Sequence, residues 1–198
     1  MSDEKRRYRM KRRAEQEAET RLRITESAVD LHGTLGPART SVSAVAEHAG
    51  VRRSTVYRHF PDERALLGAC SAHWGASNPP PDLAGWGRVA DPDERLKLAL
   101  GELYAYYRRS GSMLEKLVRD EEAVPVLAEL MGGFRSFLAE ATDVLIRGRG
   151  ARGRGRKAVR AAVGHALAFS TWSDLTGAQG LDDEQAAELM SRLVARSS

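Results

Sequence analysis

The sequence predicts an all-α protein. Apolar residues recur at steps of three and four in each long segment, as in Leu96, Leu100 and Leu103, which is the spacing of one helix face. Glycine and proline separate these segments, and no run of β-branched residues alternates with polar ones. We therefore expect an N-terminal three-helix unit, followed by a larger unit that is also built from helices.

The composition is that of a globular domain. The chain has 198 residues, of which 42% are hydrophobic and 29% charged, and this length allows a sizeable core. No charge-free stretch is apolar enough for a membrane helix, and the basic N-terminus lacks the apolar segment of a secretory signal. A single cysteine, Cys70, excludes an internal disulfide and a cysteine-based metal cluster. These observations predict a cytoplasmic protein.

The net charge of +4 conceals strong segregation. Residues 5–13 contain seven basic residues and no acidic one, and residues 147–160 contain another seven and no acidic one. The remainder of the chain carries a net charge of −10. The positive charge is therefore local, and each basic segment needs an interpretation of its own.

Residues 1–13 have many charges and no apolar periodicity, which predicts a flexible basic arm. From about Ala14 a rough apolar face begins, so a helix is expected to run from there to the Gly36-Pro37 pair. The apolar positions expected on this face are Leu22, Ile24, Ala28, Leu31 and Leu35.

Two short helices are expected next. The first can be capped by Thr40 or Ser41, and Gly50 can end it because glycine accepts a left-handed backbone conformation. The second covers about residues 53–60 and directs Val56 inward. This is a helix-turn-helix arrangement, and the outward side of its second helix offers hydrogen-bond donors suited to the major groove of DNA.

Three motifs in this region form a specific pattern: Val42-x-x-Val45-Ala46-x-x-Ala49-Gly50-Val51, Thr55-Val56-Tyr57-Arg58-His59-Phe60-Pro61 and Ala65-Leu66-Leu67. The pattern resembles the N-terminal domain of the tetracycline-repressor (TetR/AcrR) family of bacterial transcriptional regulators. The match covers about residues 22–67, whereas the rest of the chain resembles the family only in length and helical character.

The resemblance implies a homodimeric regulator, here interpreted as a repressor, that binds a palindrome-like operator and is released by a small-molecule effector. The implied division is an arm at 1–13, a DNA-binding domain with its connecting helix at 14–74, and a ligand-binding and dimerisation domain at 75–198. The last two long helices would form most of the dimer interface. The residues implied to contact DNA are Thr40, Ser41, Arg52, Arg53, Ser54, Thr55, Tyr57, Arg58 and His59.

Two positions depart from the family pattern. Arg52 stands where the family often has a serine that caps the recognition helix, and a positive charge there is unfavourable to the helix dipole. DNA phosphate could compensate that charge, or Ser54 could cap instead. Glu63 stands where the family often has a phosphate-binding lysine, which the neighbouring Arg64 does not obviously replace.

The second half of the chain is rich in aromatic residues at helical spacing. Such residues are usually core, but ligand pockets between helices are also lined by aromatic side chains with a few polar groups. The candidate lining residues are Trp86, Tyr104, Tyr107, Met113, Leu117, Phe134, Phe137, Phe169 and Trp172. Candidate polar groups are Arg108, Asp120, His165, Ser170 and Asp174.

Three further features each allow two interpretations. The arm at 1–13 is interpreted as a contact to DNA phosphates or the minor groove, with a solubilising tail as the alternative. The Arg/Gly-rich segment 147–157 is interpreted as a flexible loop, with nucleic-acid binding as the alternative. Cys70 is expected to be a small buried hydrophobe rather than a redox sensor.

No enzyme, metal site or cofactor is predicted. The histidines show no metal-ligand spacing, and no phosphate loop, nucleophile–base pair or carboxylate cluster stands out. The alternatives that remain open are a helical DNA-binding protein that responds to no ligand, and a helical enzyme in which the N-terminal pattern is incidental.

Overall fold

The computed structural model describes residues 2–150 and 152–197, and over these residues it contains α-helices and no β-strand. The predicted all-α fold is confirmed. None of the described helices is both long and apolar enough to cross a membrane. The helices are α1 (Ser2–Thr34), α2 (Val42–His48), α3 (Arg53–His59), α4 (Glu63–Ser77), α5 (Leu83–Gly87), α6 (Pro92–Asp120), α7 (Pro125–Leu145), α8 (Arg154–Leu167), α9 (Phe169–Ser173) and α10 (Asp183–Ala195).

The chain divides into two compact units. The first consists of residues 1–77 together with 115–128, and the second consists of residues 78–114 together with 129–198. The division expected from the sequence assigns residues 115–128 to the second domain. The structure instead places the end of α6 and the start of α7 with the N-terminal helices.

Helix α1 begins at Ser2 and not near Ala14, so the expected flexible segment is helical in the structure. Straight-chain residues such as lysine, arginine and glutamate favour helices, and ion pairs Lys11–Glu15 and Arg13–Glu17 join successive turns. Because residues 4–19 are exposed all around, they carry no apolar stripe. The absence of periodicity is therefore a poor guide here, because an exposed helix needs none.

The first unit is built around one apolar cluster. Helix α1 packs against α2 and α4, and α2 packs against α3. Leu22 and Leu35, which were expected on the inner face of α1, are 46% and 45% exposed. The buried cluster comprises Ile24, Ala28, Val45, Ala46, Ala49, Val56, Phe60, Leu66 and Cys70.

Helix α6 continues through Gly111 without a break, although glycine is unfavourable inside a helix. Gly111 serves a close contact rather than a break, because a Cβ atom there would lie 3.2 Å from the Trp172 ring. The segment before α6 is rich in glycine and proline, as connections are. It contains the short helix α5, and Trp86 is fully buried with its Nε1 donating to Glu102 Oε2 at 2.7 Å.

Helices α8 and α9 are separated at Ala168, which has an extended backbone. Two buried tyrosines satisfy the carbonyl groups at this break: Tyr104 donates to Ala166 O at 2.9 Å and Tyr107 to Leu167 O at 2.6 Å. After α9 the chain continues in a π-helical segment over Asp174–Ala178. Neither glycine nor proline marks this break, so no local signal for it exists in the sequence.

Candidate DNA-binding interface

The turn between α2 and α3 has the expected glycine. Gly50 has a φ of 63°, in the left-handed region, and Val51 N donates to Ala46 O at 2.9 Å across the end of α2. Val51 is half-buried against the core, and Val56 on α3 is fully buried. This arrangement fixes the angle between α2 and α3 and leaves the other side of α3 in solvent.

At the start of α2, Ser41 rather than Thr40 is the N-cap. The Ser41 hydroxyl accepts from Ala44 N at 3.1 Å, so its own proton remains available for a phosphate oxygen. Thr40 donates its hydroxyl proton to Gly36 O at 2.8 Å. A phosphate accepts but does not donate, so Thr40 has to give up this bond before it can contact one. Ser41 is therefore the better placed of the two.

The exposed side of α3 carries a linked pair. Arg53 Nη2 donates to the Tyr57 hydroxyl at 3.0 Å, and the Arg53 guanidinium lies 5.4 Å from the centre of the Tyr57 ring. Because the Tyr57 oxygen accepts from Arg53, its proton is free to point away from the protein. Tyr57 is 42% exposed, so its ring and hydroxyl are accessible to a partner. Arg52, Ser54 and Arg58 are also exposed.

His59 is less open than the other predicted contacts. It is half-buried, and its Nε2 is enclosed with no hydrogen-bond partner among the described residues. Burial lowers its pKa, and the positive charges of Arg58 and Arg21 lower it further. His59 is therefore neutral at pH 7 and suited to a hydrogen bond rather than an ion pair with phosphate. Thr55 is likewise half-buried.

Arg21, which the sequence pattern does not single out, secures the end of α3. Its Nη1 donates to His59 O at 2.7 Å, and its guanidinium lies 4.2 Å from the centre of the Phe60 ring. From α1, it thus satisfies a terminal carbonyl of α3. Its place outside the apolar pattern of α1 conceals this role.

The departures from the family pattern have a structural outcome. Arg52 is the N-cap residue of α3 and makes no side-chain capping bond, and Ser54 lies inside the helix rather than at its cap. Asp62 caps the next helix, because its Oδ1 accepts from Ala65 N at 2.7 Å. Glu63 is the first residue of α4 and is exposed.

The turn before α2 is held by contacts with the end of α6, and the sequence gives no signal for these contacts. Gly36 has a φ of 94°, and a Cβ atom there would lie 2.2 Å from Arg119 Nη2 and 2.3 Å from Asp120 Oδ2. Arg119 Nη2 also donates to Leu35 O at 2.8 Å. The last two residues of α6 therefore pack closely against the turn that leads into the helix-turn-helix. Asp120, expected among ligand-binding groups, is used here instead.

Comparison with known proteins identifies this arrangement. Residues 24–70 match the family model described as bacterial regulatory proteins, tetR family. Residues 24–70 therefore form an N-terminal domain of the TetR type. Its family is one of regulatory proteins, in agreement with the prediction that the chain is not an enzyme.

Individual relatives agree with this assignment. A curated Bacillus subtilis (strain 168) protein, the uncharacterized HTH-type transcriptional regulator YerO, is 30% identical over 135 residues, which is 65% of this chain but 45% of that protein. The chain thus spans less than half the length of that relative. A TetR-like transcriptional regulator from Rhodococcus sp. RHA1 shares the fold, with a TM-score of 0.66, 19% identity and coverage of 89% of this chain and 94% of the other. The fatty acid degradation regulator FadR from Bacillus halodurans has a TM-score of 0.60, 16% identity and coverage of 88% and 93%.

The residues predicted to line an effector pocket are mostly core. Trp86, Tyr104 and Tyr107 are fully buried, and Met113 and Trp172 are nearly so. Leu117 belongs to the first unit and not to the second. Phe134, Phe137 and Phe169 are half-buried, so these rings are the ones within reach of a ligand without repacking.

The partly exposed rings continue a chain of aromatic contacts. Phe134 stacks on Phe137 at 6.0 Å between centroids, and Phe169 meets Tyr107 edge-on at 5.3 Å. Among the polar candidates, Arg108 forms a two-point bond to Asp183, which also accepts from Trp172 Nε1 at 2.8 Å. His165 lies near the Thr171 hydroxyl, 3.3 Å from Nδ1, while Ser170 and Asp174 are exposed.

Two surface cavities lie outside this aromatic chain. One is bounded by Arg147, Arg149 and Arg156, among others, and one lies along the basic part of α1; neither includes any of the nine candidate lining residues. Within residues 2–150 and 152–197, no group of three or more histidine, cysteine or acidic side chains is placed to hold a metal ion. Cys70 is buried, and burial raises the pKa of its thiol to about 12.

Proposed function

We propose that this protein is a homodimeric transcriptional repressor that binds a palindrome-like DNA operator through α3 and leaves it when a small-molecule effector binds. The observation that carries the proposal is the exposed Arg53–Tyr57 pair on the second helix of a TetR-family helix-turn-helix. Arginine reads guanine edges or phosphates, and the outward Tyr57 hydroxyl can donate to either. The predicted cytoplasmic location is compatible with this function.

Dimerisation is proposed through α8 and α10, which pack against each other. The outer side of α8 presents exposed small residues, Ala158, Ala161 and Gly164, and α10 presents Leu193 at 47% exposure. Small side chains allow a second helix pair to approach closely, and a two-fold axis would place two recognition helices on a two-fold operator. Ala161→Glu is expected to yield monomers in light scattering and to weaken operator binding.

Effector response is proposed to involve the half-buried rings of Phe134, Phe137 and Phe169. Apolar pockets between helices take apolar ligands, so an aromatic or aliphatic small molecule is the expected class. The effector acts only if it binds the state that has left DNA more tightly than the DNA-bound state.

The decisive experiment is operator selection from random-sequence DNA, followed by affinity measurement. Tyr57→Ala and Arg53→Ala should each weaken binding to the selected sequence by about tenfold or more, while dimerisation is unchanged. Arg88→Ala, an exposed arginine of the second unit, is the matched control and should bind as the unchanged chain does. Binding at full strength by either recognition-helix variant would contradict the assignment of α3.

A second candidate is a DNA-binding protein of the same family that responds to no small molecule. It is favoured by the filled aromatic core, in which Tyr104 and Tyr107 already have hydrogen-bond partners. A screen of apolar compounds that never shifts the melting temperature or the operator affinity would support this candidate over the effector-released repressor.

A further inference from the structure

The first three turns of α1 carry a one-sided arrangement of positive charge. At 3.6 residues per turn, five of the seven basic side chains of residues 5–13 fall within an arc of about 120°. Arg7 and Lys11 lie on the opposite side of the helix, and all seven side chains are exposed. We call the five the basic stripe: Lys5, Arg6, Arg9, Arg12 and Arg13. Four of them line one surface depression together with Met10.

One edge of the basic stripe lies on the same side of α1 as the core of the first unit. Eleven residues make just over three full turns, so Arg9 points in nearly the same direction as Thr20, and Arg13 in nearly the same direction as Ile24. Ile24 is fully buried in the helix-turn-helix core, and Thr20 is half-buried. The stripe therefore overlaps the inner side of α1 at one edge, whereas Lys5 lies in the direction of Arg23, which is exposed.

The distance of the stripe from α3 can be measured from Arg21, which donates a hydrogen bond to His59 O at the end of α3. With a rise of 1.5 Å per residue, Arg13 lies about 12 Å and Lys5 about 24 Å beyond that point. Base pairs are spaced by about 3.4 Å, so this distance corresponds to roughly four to seven base pairs. If α3 lies in the major groove, the stripe is therefore far enough from α3 to reach the base pairs that flank the segment in contact with α3.

The stripe is electrostatically unfavourable without a partner. Lys5, Arg9 and Arg13 follow one another at i,i+4, where like charges repel, and Lys5 also lies in the first turn, near the positive end of the helix dipole. Arg13 forms an exposed pair with Glu17, which is a weak interaction in water and relieves little of this repulsion. A row of phosphates would remove the repulsion and favour the helix.

We propose that the basic stripe is a second DNA-binding surface, which binds the phosphates of the duplex that flanks the segment read by α3. This inference rests on the proposed function, because α3 must place the molecule on its operator before the flank is in reach. It differs from a flexible arm in that the stripe acts as a helix, with one side toward DNA and the other toward solvent.

The test compares two doubly substituted full-length chains that lose equal charge. Arg9→Gln with Arg13→Gln removes two stripe residues, and Arg7→Gln with Lys11→Gln removes two from the opposite side. Each double variant also loses one i,i+4 ion pair, so the helix is perturbed equally. Affinity for a selected operator is measured by fluorescence anisotropy from 50 to about 300 mM salt, on duplexes with flanks of about twelve or about two base pairs.

The stripe variant is expected to bind the long duplex on the order of tenfold or more weakly at about 0.1 M salt, with a shallower salt dependence. The slope should fall by about 0.9 for each phosphate that the variant no longer neutralises, or by about 3.6 for a dimer in which four phosphates are released. The control variant should change far less. The unchanged chain should lose affinity on the short duplex, and the stripe variant should be insensitive to flank length.

Two results would overturn the proposal. Equal losses in both double variants would mean general charge attraction, and an unchanged slope in the stripe variant would mean that the stripe does not bind the flank. Either result, obtained while Tyr57→Ala still weakens operator binding, leaves the proposed function intact. A chain that selects no DNA sequence at all overturns both.

Discussion

Asp120 accepts a hydrogen bond from the backbone N–H of Ala38, with 3.0 Å between Oδ2 and N. Asp120 is almost fully buried, and its ion pair with Arg119 holds the pKa of its carboxyl below the usual range. The bond joins the end of α6 to the turn before α2, within the first unit. The orientation of the helix-turn-helix thus depends on a residue eighty-two positions further along the chain.

The first prediction concerns Gly36 in this turn. Gly36→Ala should destabilise the fold by about 2 kcal/mol or more, because it combines a disfavoured φ with a clash that only movement of Arg119 and Asp120 can relieve. That movement breaks the bond to Ala38, so operator affinity should fall as well. Urea unfolding and anisotropy measure the two effects.

Gly50→Ala is the matched control for this prediction. Gly50 also has a positive φ, but a Cβ atom there would meet open space. Gly50→Ala should therefore lower the free energy of unfolding by only about 1 kcal/mol. Equal losses of unfolding free energy in the two alanine variants would show that backbone strain, and not the close contact with Arg119 and Asp120, makes glycine necessary at position 36.

The second prediction concerns Arg21. Arg21→Ala should lower the free energy of unfolding by about 1–2 kcal/mol, because it removes a charged hydrogen bond to His59 O and a contact with the Phe60 ring. Arg23→Ala, at an exposed site two residues away, should stay within about 0.5 kcal/mol of the unchanged chain. The free energy of unfolding of both variants is measured in denaturant. Similar values for the two would show that Arg21 has no special role.

The third prediction is a loss of stability in acid. Burial lowers the pKa of His32 from 6.5 to about 4, and the nearby Asp120 only partly offsets this. Between these values the unfolded chain binds a proton that the folded chain does not, so stability should fall with pH through this window, by up to about 3 kcal/mol. Unfolding free energies measured from pH 7.5 to about 4.5 test this.

His32→Gln should flatten that pH dependence, because glutamine does not titrate. His48→Gln, at an exposed site on α2, should keep the slope of the unchanged chain. If His32→Gln retains the full slope, another group accounts for the acid sensitivity.

The fourth prediction concerns Cys70. With its pKa raised to about 12 by burial, its thiol is protonated at pH 7 and packed against α1, where Sγ lies 3.8 Å from Thr25 O. A thiol reagent such as dithionitrobenzoate should therefore react only as fast as the protein opens, and at once in denaturant. Rapid reaction with the folded protein would restore the redox-sensor alternative.

The helix-turn-helix could be predicted closely because its signals are local. Gly50 marks the turn, Ser41 the cap, and Val56 and Phe60 the inner face, and each lies where these residue types are expected. The long-range partners Arg21 and Asp120 left no such signal, because a polar residue that bonds a distant backbone group resembles any other surface residue in the sequence.

Aromatic residues were the least informative about function. Tyr104 and Tyr107 have the same spacing whether they line a pocket or fill a core, and the difference lies in hydrogen bonds to Ala166 and Leu167 some sixty residues away. The DNA contacts assigned to α3 and the ligand contacts assigned to Phe134, Phe137 and Phe169 stay predictions until they are measured.

The length of α1 has a mechanical consequence. Because Arg21 holds α1 at the end of α3, the segment from Lys5 to Arg21 is a lever about 24 Å long. A tilt of about 10° at Arg21 would carry Lys5 through about 4 Å, close to the spacing of one base pair. Small changes in how α1 sits against α3 would therefore shift which flanking phosphates the protein meets.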